Sequence, residues 1–581
     1  MKAQRFFVCL VSIVLSFPFA AGVARPDNSP VIGMPTYVSP VPGDKSITVT
    51  VEISDQVVGG HGILGATLYY GYTAPYNQST VSGTGPGGNG DGTWTFLIPA
   101  QGSAHNGQTL YFSIEACDNA DTPACPVNDN SGNYFAVDIT CVGCHMHLPL
   151  VFRNWEYLPQ PITPNDTHYT TYQWNLPQVR ASYAWAVSTG SSDVVVAVLD
   201  TGADLTHPDL QGKFVAGYDF IHNGADPSDD EGHGTHVAGI VAALTDNSQG
   251  VAGVSWGGKI MPVKVLDWQG LGVSSQIAQG IIWATDHGAR IINMSLGGEN
   301  GSATLQNAVN YAYSRGALVV AAAGNEYQAG NPVIYPAAYP HVLAVAATGN
   351  EDEHARYSET GYYVDVAAPG GNPTSSWDSN PNHWIMSTCW RGASYGEYAQ
   401  IAGTSQAAPH VAGLAALVWS VNPTLSNDQV EQIIEETAVD VGTPGRDDVF
   451  GYGRIDAYRA LARASRGALA AEPVQGQPAL PSAHVSLSSI SRVPIRGTEP
   501  TRAEFAAGVV LVKFRSGVRQ ETISSVLGRY SVQVTGRIPA LGVLRLSVPV
   551  GAEIDVSERL SQDPAVEYAE PDYLVQAFRV Q

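Results

Sequence analysis

The segment from residue 161 to 465 alternates short apolar runs with stretches of helical periodicity. Few polar residues interrupt the runs, so both faces of each predicted strand must be buried. Such strands are typical of a parallel sheet that helices cover on both faces, and helices are predicted at 273–287 and 303–315. The sequence therefore predicts an α/β domain over 161–465. The predicted strands are residues 194–200, 259–265, 290–294, 317–323 and 341–346.

Three other regions differ from this pattern in composition. Residues 25–140 alternate apolar and polar positions between glycine-rich turns, which predicts an immunoglobulin-like β-sandwich. Residues 141–160 and 466–505 are predicted to be linkers, the second being rich in Ala, Pro, Ser and Gly. Residues 506–581 predict the order strand, helix, strand, strand, helix, strand, which is an α+β ferredoxin-like arrangement. The chain is therefore expected to be multidomain.

The first 24 residues have the features of a secretory signal peptide. Lys2 and Arg5 precede an apolar run at residues 6–15, and small residues follow near position 24. No later apolar run is long enough for a helix that spans a bilayer. The sequence thus predicts a secreted protein without a membrane span.

The charge balance argues against a nucleic-acid partner. The 581 residues carry a net charge of -23, with 52 acidic and 29 basic side chains. Nucleic-acid binding depends on basic surfaces that neutralise phosphates, and an acidic chain of this kind offers little such surface.

The cysteines allow two interpretations. Cys141, Cys144 and His145 match the attachment pattern of a c-type haem. No helical segment nearby could enclose a haem, so a local disulfide or a reduced pair is favoured. In an exported chain Cys117 and Cys125 could form a second local disulfide, which leaves Cys389 unpaired.

Three polar residues occupy positions where an α/β sheet concentrates chemistry. Asp200 ends a predicted strand, and the carboxyl ends of parallel strands are where such sheets build their sites. His233 lies among glycines at the start of a predicted helix, and Ser405 lies where a loop leads into an apolar helix. The first amides of a helix lack partners and favour negative charge, so they would stabilise an activated serine. Each residue alone would more often be a turn or packing residue.

The blocks around these residues resemble the signature blocks of the subtilase family of serine proteases. They read DTGAD from Asp200, HGTHVAG from His233 and GTSQAAPH from Gly403, in the subtilisin order of aspartate, histidine and serine. The resemblance implies a serine endopeptidase in which Ser405 attacks the scissile carbonyl, His233 transfers the proton and Asp200 orients His233. By position, Asn325 would donate to the oxyanion together with the Ser405 amide.

The resemblance also implies how protein or peptide substrates bind. One short strand would pair with an extended peptide, and two segments would form the walls of the primary specificity pocket. Because backbone pairing accepts many sequences, broad specificity is expected. Glu326 would either lie at the pocket or be an exposed turn residue. The implied substrate-binding residues are Ser295, Leu296, Gly297, Ala323 and Gly324.

Calcium is the cofactor that the resemblance implies. Calcium takes six to eight oxygen ligands from carboxylates, amides and backbone carbonyls. Two carboxylates, one amide and three carbonyl groups resemble the strong calcium site of this family. The implied ligands are Asp166, Asp209 and Asn247, with the carbonyl oxygens of Leu244, Gln249 and Val251.

Residues 508–573 resemble the subtilase propeptide or inhibitor domain. That domain normally precedes the catalytic domain, whereas here it follows it. We therefore expect the chain's own C-terminal domain to act as an inhibitor or intramolecular chaperone, with residues 573–581 in the cleft. The alternative is a catalytically silent, subtilase-like surface or binding protein in which the N-terminal β module carries the function.

Overall fold

The computed structural model describes eight strands between residues 30 and 138, residues 159–465 apart from 391 and 393–395, and residues 505–578. The chain divides into two compact units, Met1–Tyr157 and Leu158–Gln581. The predicted signal peptide, the haem-like motif and nearly all of both predicted linkers lie outside the described residues. Within the described part of the chain, no helix is long and apolar enough to cross a membrane.

The described strands of the first unit form two antiparallel sheets of four strands each. In one sheet β3 pairs with β1, β2 and β6, and in the other the order is β5-β4-β7-β8. The strands are β1 (Pro30–Ile32), β2 (Thr36–Val38), β3 (Ile47–Asp55), β4 (Ile63–Gly71), β5 (Ser79–Ser82), β6 (Gly92–Ile98), β7 (Thr109–Asp118) and β8 (Phe135–Asp138). The alternating pattern thus produces strands, and their assembly into an immunoglobulin-like sandwich stays a prediction.

The second unit contains a seven-stranded parallel sheet in the order β10-β11-β9-β13-β15-β16-β17. The five strands predicted from apolar runs all lie inside this sheet, and the short edge strands β10 and β17 were not predicted. The strands are β9 (Val195–Asp200), β10 (Tyr218–Asp219), β11 (Lys259–Lys264), β13 (Ile291–Met294), β15 (Leu318–Ala322), β16 (Val342–Thr348) and β17 (Val366–Pro369). The predicted α/β domain with a parallel sheet is confirmed.

Successive side chains of β9 enter two different cores, one on each face of the sheet. Val196 and Val198 belong to the core that also contains helix residues 237–242 and 407–419, whereas Ala197 and Leu199 belong to the core with residues 277–284 and 305–312. This is the burial on both faces that uninterrupted apolar strands require. The helices are α1 (Tyr169–Tyr172), α2 (Asn175–Gln178), α3 (Ala181–Ala184), α4 (His233–Ala242), α5 (Ser274–Asp286), α6 (Ala303–Ser314), α7 (Thr404–Val421), α8 (Asn427–Thr437) and α9 (Ala457–Ser465).

Helix α7 is buried at every residue from Thr404 to Trp419. A helix that is apolar on all sides is stable only inside a core. The site-bearing end of α7 is therefore fixed by packing along the whole helix. Four short strands complete this region: β12 (Leu271–Val273), β14 (Leu296–Gly297), and the antiparallel pair β18 (Ile385–Thr388) and β19 (Tyr398–Ile401).

The C-terminal segment has the element order that the sequence predicts. The elements are β20 (Phe505–Phe514), α10 (Gln520–Arg529), β21 (Gln533–Ile538), β22 (Val543–Ser547), α11 (Glu553–Ser561) and β23 (Val566–Ala577). Its strands pair antiparallel in the order β23-β20-β22-β21, over a small core of their own. Strand β23 then extends beyond this sheet and pairs with β12 and β14. The classification as a ferredoxin-like domain stays a prediction.

Candidate active site

Asp200 and His233 form a buried pair at the carboxyl edge of the sheet. Asp200 is the last residue of β9 and His233 the first of α4, and both are fully buried. Asp200 Oδ1 and His233 Nδ1 are 2.8 Å apart. Asp200 Oδ1 also accepts a bond of 2.7 Å from the Thr201 amide, which fixes the carboxylate. Burial lowers the pKa of His233, but the charge and hydrogen bond of Asp200 outweigh it, so the net pKa lies above its ordinary value.

Ser405 is the second residue of α7 and faces a carbonyl group of the chain's own C-terminal tail. Its Oγ donates to the Phe578 carbonyl at 2.7 Å and lies 3.1 Å from the Ser295 carbonyl. His233 Nε2 is buried and has no hydrogen-bond partner among the described residues. The structure therefore joins Asp200 to His233, while the Ser405 hydroxyl bonds to the tail rather than to the imidazole.

Asn325 presents its amide group to the same space. Its Oδ1 accepts from the Thr404 amide at 2.9 Å and from Thr404 Oγ1 at 2.8 Å. Its Nδ2 is buried and makes no hydrogen bond within the described residues. A Cβ on Gly403 would lie 3.0 Å from that Nδ2 and 3.4 Å from the Phe578 oxygen. Asn325 thus offers a free donor beside the carbonyl that faces Ser405.

The tail lies as an extended peptide between two short strands, β12 and β14. Antiparallel pairing joins Leu271–Val273 to Leu574–Gln576 and Leu296–Gly297 to Gln576–Ala577. The Phe578 amide donates to the Ser295 carbonyl at 3.4 Å. The strand expected to bind extended peptides therefore pairs with one, and that peptide belongs to the same chain.

The Phe578 side chain is buried at 2% exposure in a slot bounded by Gly297 and Ile334. A Cβ on Gly297 would lie 2.5 Å from Phe578 Cζ and 2.7 Å from Ile334 Cγ2. Only a residue without a side chain leaves room for the ring at this position. The slot accommodates a large apolar side chain next to the serine.

Comparison with known proteins agrees with this geometry. The model of the subtilase family matches residues 191–453. The chain is 46% identical over 299 residues to the thermophilic serine proteinase of Bacillus sp. strain AK1, which covers 52% of this chain and 69% of that protein. It is 43% identical over 300 residues to thermitase of Thermoactinomyces vulgaris, covering 52% of this chain and 99% of thermitase.

The chain belongs to the subtilase family. Subtilisin DY of Bacillus licheniformis is 41% identical over 286 residues, covering 49% of this chain and 96% of that protein. A second family model, that of the fervidolysin N-terminal prodomain, matches residues 491–572. This subtilase is thus a serine endopeptidase with a prodomain-like region after its catalytic domain.

The turn after β15 of this subtilase is in contact with a buried residue that the sequence did not reveal. Ala323 and Gly324 follow β15, which ends one residue earlier than the predicted strand 317–323, and Ala323 is fully buried. The Glu326 amide donates to Oε1 of Glu359, which approaches from the segment after β16. Glu326 itself is partly buried in the turn. Glu359 is fully buried, and no motif at position 359 indicated a role for it.

The predicted calcium ligands gather around one loop of this subtilase. Asp166 Oδ2 accepts from the Asp246 amide at 2.8 Å, and Asp209 accepts from Asn247 Nδ2 at 2.7 Å and from the Val251 amide at 2.9 Å. Both carboxylates are buried, and burial raises the pKa of each, that of Asp209 to about 6. Asp166 Oδ1 has no hydrogen-bond partner in the described part of the chain.

The predicted ligands Asn247 and Gln249 lie on the same loop, and Leu244 lies just before it. The Gln249 amide donates to Asn247 Oδ1 at 2.8 Å, and the Leu244 amide donates to the Asp209 carbonyl at 2.8 Å. Among the described residues, no group of three or more His, Cys, Asp or Glu side chains could hold a metal ion. A cation here would therefore need amide and carbonyl oxygens besides the two carboxylates. The orphaned oxygen of Asp166 and this mixed donor set fit calcium.

Proposed function

We propose that this subtilase is a secreted, calcium-stabilised endopeptidase of broad specificity whose activity its own C-terminal domain restrains. The observation that carries the proposal is the Phe578 carbonyl, which lies 2.7 Å from Ser405 Oγ at the end of a peptide paired with both cleft strands. Arg579 follows Phe578 in the sequence, so this carbonyl belongs to a peptide bond. The tail thus occupies the cleft in the manner of a substrate.

In the proposed mechanism His233 is the general base. Its Nε2 takes the Ser405 proton as Oγ attacks the scissile carbonyl carbon, and later transfers that proton to the leaving amine. Asp200, 2.8 Å from Nδ1, keeps the proton of the neutral ring on Nδ1 and stabilises the imidazolium that forms. The acyl ester on Ser405 is then hydrolysed by water, again with His233 as base.

The proposed oxyanion donors are Asn325 Nδ2 and the Ser405 amide. Thr404 holds the Asn325 side chain by two bonds to Oδ1. Asn325 Nδ2 is buried and has no hydrogen-bond partner among the described residues, so it remains available as a donor. A buried donor held ready in this way stabilises charge that develops during attack. In subtilisin, loss of the corresponding donor costs about 3 to 4 kcal/mol, and we expect a similar loss for Asn325→Ala.

Broad specificity follows from how the cleft binds the peptide. The strands pair with backbone groups, which are the same in every sequence. The slot at Gly297 and Ile334 holds the Phe578 ring, which supports a preference for large apolar side chains on the acyl side of the cleaved bond. Three residues of the substrate-binding set proposed from the sequence support this assignment: Gly297 borders the slot, the Ser295 carbonyl accepts from the Phe578 amide, and Gly324 lies against Ile334.

Calcium would be held by Asp166 and Asp209 with Asn247 and carbonyl oxygens of the adjoining loop. When bound, the cation would supply charge to two buried carboxylates and join the loop at 246–251 to the N-terminal segment near Asp166. The protein's own part is to keep the carboxylates buried and close to one loop. We therefore assign calcium a stabilising role and none in the reaction.

The proposed inhibitor role of the C-terminal domain has a second anchor outside the cleft. Glu570 accepts from the amides of Ala303 and Thr304 at 2.8 and 2.9 Å, at the first turn of α6. Asp572 accepts from the amide and hydroxyl of Ser275, at the first turn of α5, at 2.9 and 2.7 Å. Carboxylates at helix N-termini satisfy unpaired amides and the positive end of the dipole. These contacts hold β23 in register with the cleft strands.

Export is proposed from the signal-like residues 1–24 alone. N-terminal sequencing of protein recovered from the culture medium tests it. A mature chain that lacks about 24 residues is expected, and protein that keeps residue 1 and stays in the cells would contradict export.

A fluorophosphonate label tests the proposed triad against the alternative of a silent binding protein. Once its tail is released, the chain should be labelled at Ser405, and Ser405→Ala and His233→Ala should each abolish labelling, because the reagent reacts only with an activated serine. Mass spectrometry of the labelled peptide locates the site. A chain that folds, releases its tail and still takes up no label would support the silent protein instead.

A further inference from the structure

The turn Gly324–Glu326, which carries the oxyanion donor Asn325, is held by two residues outside it. Thr404 accepts from the Gly324 amide at 3.1 Å and bonds to Asn325 Oδ1. Glu359 makes the other contacts: its amide donates to the Gly324 carbonyl at 3.3 Å, and its Oε1 accepts from the Glu326 amide. The peptide groups on both sides of Asn325 are therefore fixed by Glu359.

The Glu359 carboxyl lies directly against the backbone of Gly324. A Cβ on Gly324 would lie 2.5 Å from Glu359 Oε2 and 2.7 Å from Cδ, and the φ of +119° at this residue also favours glycine. Ile334 Cγ1 would be 2.7 Å away from the same position, and Ile334 also borders the slot that holds the Phe578 ring. Glu359 and Ile334 thus both pack against Gly324 of the oxyanion turn.

A carboxyl in this place is costly for stability. Glu359 is fully buried, and its Oε2 has no hydrogen-bond partner among the described residues. Burying a polar oxygen without a hydrogen-bond partner lowers the stability of the fold. An apolar residue would avoid that cost but could not accept from the Glu326 amide. The bond to the Glu326 amide is therefore an interaction that an apolar residue at position 359 cannot replace.

We propose that Glu359 is a positioning residue for the reaction, which holds the turn Gly324–Glu326 so that Asn325 Nδ2 points to the developing oxyanion. The inference rests on the proposed oxyanion role of Asn325. Thr404 fixes the rotation of the Asn325 amide group, and Glu359 fixes the backbone from which that side chain extends. Donors in an oxyanion hole must be held within fractions of an ångström, so loosening the turn lowers the rate without weakening substrate binding.

The position of Glu359 also predicts a pH dependence. Burial raises its pKa to about 8, with further contributions from the charges of Glu326 and Glu299, and Tyr363 is the other titratable group that faces it. Below that pH the carboxyl is neutral. Above it, an uncompensated negative charge lies beside the site where the oxyanion forms and opposes that charge. We therefore expect kcat to fall as the pH rises through about 8.

Two variants of the full chain test the proposal. Glu359→Ala should lower kcat about tenfold or more at pH 7 and leave KM within about twofold, since the turn loses its acceptor. Glu359→Gln retains an acceptor oxygen and cannot ionise, so it should restore kcat at pH 7 and lose the decline above pH 8. Rates are expressed per fluorophosphonate-titrated site, so that only folded and open enzyme is counted.

Glu353→Ala is the matched control. Glu353 accepts from the Glu351 amide at 2.9 Å in the turn at 349–353, which is the same kind of contact in a turn without a proposed catalytic role. It should change neither kcat nor the pH profile. In an Asn325→Ala background, Glu359→Ala should add little to the loss, because the donor that it positions is already absent.

Unchanged kcat in Glu359→Ala, or a full additional loss in the Asn325→Ala background, overturns the proposal. If Glu359→Ala fails to fold, the pH profile of Glu359→Gln decides, and an alkaline decline like that of the wild type contradicts the proposed role. These results are distinct from failure of the proposed triad. If the proposed triad is wrong, the wild-type chain will not be labelled at Ser405 even after its tail is released.

Discussion

Strand β23 contacts the catalytic domain by two different kinds of chemistry. At its C-terminal end the strand pairs through backbone groups with β12 and β14 and inserts Phe578 beside Ser405. Six and eight residues before Phe578, Asp572 and Glu570 bond through their carboxylates to the first turns of α5 and α6. Any extended peptide can make the backbone contacts of the first set, whereas the second set requires acidic side chains at a fixed spacing. We therefore expect the cleft to accept many peptides and the helix ends to select this tail.

The largest effect is expected from Ser405→Ala, which should abolish catalysis while the tail remains docked. Ser405→Ala should remove about a millionfold of kcat, which is the loss known for the corresponding substitution in subtilisin. The Ser405 side chain makes only one bond to the tail, to the Phe578 carbonyl, within the described residues. The backbone pairing of β23 does not depend on it, so the tail should stay bound. Hydrogen exchange of the amides of residues 574–577 measures docking. Rapid exchange in this variant would show that the serine itself holds the tail.

Loss of the two helix contacts should release the tail while the cleft stays intact. Hydrogen bonds to charged groups contribute about 1.5 to 3 kcal/mol each, so Glu570→Gln with Asp572→Asn should raise basal hydrolysis of a small peptide at least about a hundredfold. Glu567→Gln is the control, because Glu567 pairs with Lys513 inside the C-terminal domain. Equal basal rates in the double variant and the wild type would place all of the docking energy in the cleft.

Truncation of the tail's aromatic anchor should have a smaller effect. Burying a Phe side chain contributes about 1.5 to 3 kcal/mol, so Phe578→Ala should raise basal hydrolysis about tenfold to a hundredfold. Gln576→Ala keeps the same backbone pairing and should change little. If Phe578→Ala activates more than the double variant at the helix ends, the cleft is the dominant anchor and the comparison is reversed.

Calcium removal should have the smallest effect. It should lower the stability of the protein and leave kcat unchanged. A ligand at a hundred times its Kd stabilises by about 2.7 kcal/mol, which corresponds to a fall of several degrees in Tm on chelation. Asp209→Asn should remove the response to added calcium, and Asp193→Asn, at an exposed position, should keep it. A Tm that is the same with and without chelator in the wild type contradicts the proposed site.

The strands of the central sheet could be predicted because each one is marked by the apolar pattern of its own residues. Uninterrupted apolar runs can be satisfied only by burial on both faces, and strands 195–200 and 291–294 deliver side chains to both cores as that pattern requires. The two-residue edge strand β10 has no such pattern. Asp200, His233, Asn325 and Ser405 were all named from the sequence, and the structure brings them to one edge of the sheet with the Phe578 carbonyl among them.

Contacts between distant segments could not be predicted in the same way. Glu359 follows β16, and nothing in its neighbours distinguishes it from an exposed loop glutamate, yet it is buried against a turn that precedes it by more than thirty residues. The bonds of Glu570 and Asp572 to helix ends join segments almost 300 residues apart. Such pairs depend on how separate elements dock, and a single sequence does not encode that in its periodicity.

The order of the segments also determines how the tail responds to dilution. Roughly 40 residues connect α9 to β20, and a flexible linker of that length, as the sequence predicts here, would hold the two domains at an effective concentration of about a millimolar. Under the proposed function, export into a large volume would therefore not separate the C-terminal domain from the catalytic domain. A single cut in the linker would convert docking into a bimolecular equilibrium, after which the volume of the surroundings would favour the open cleft.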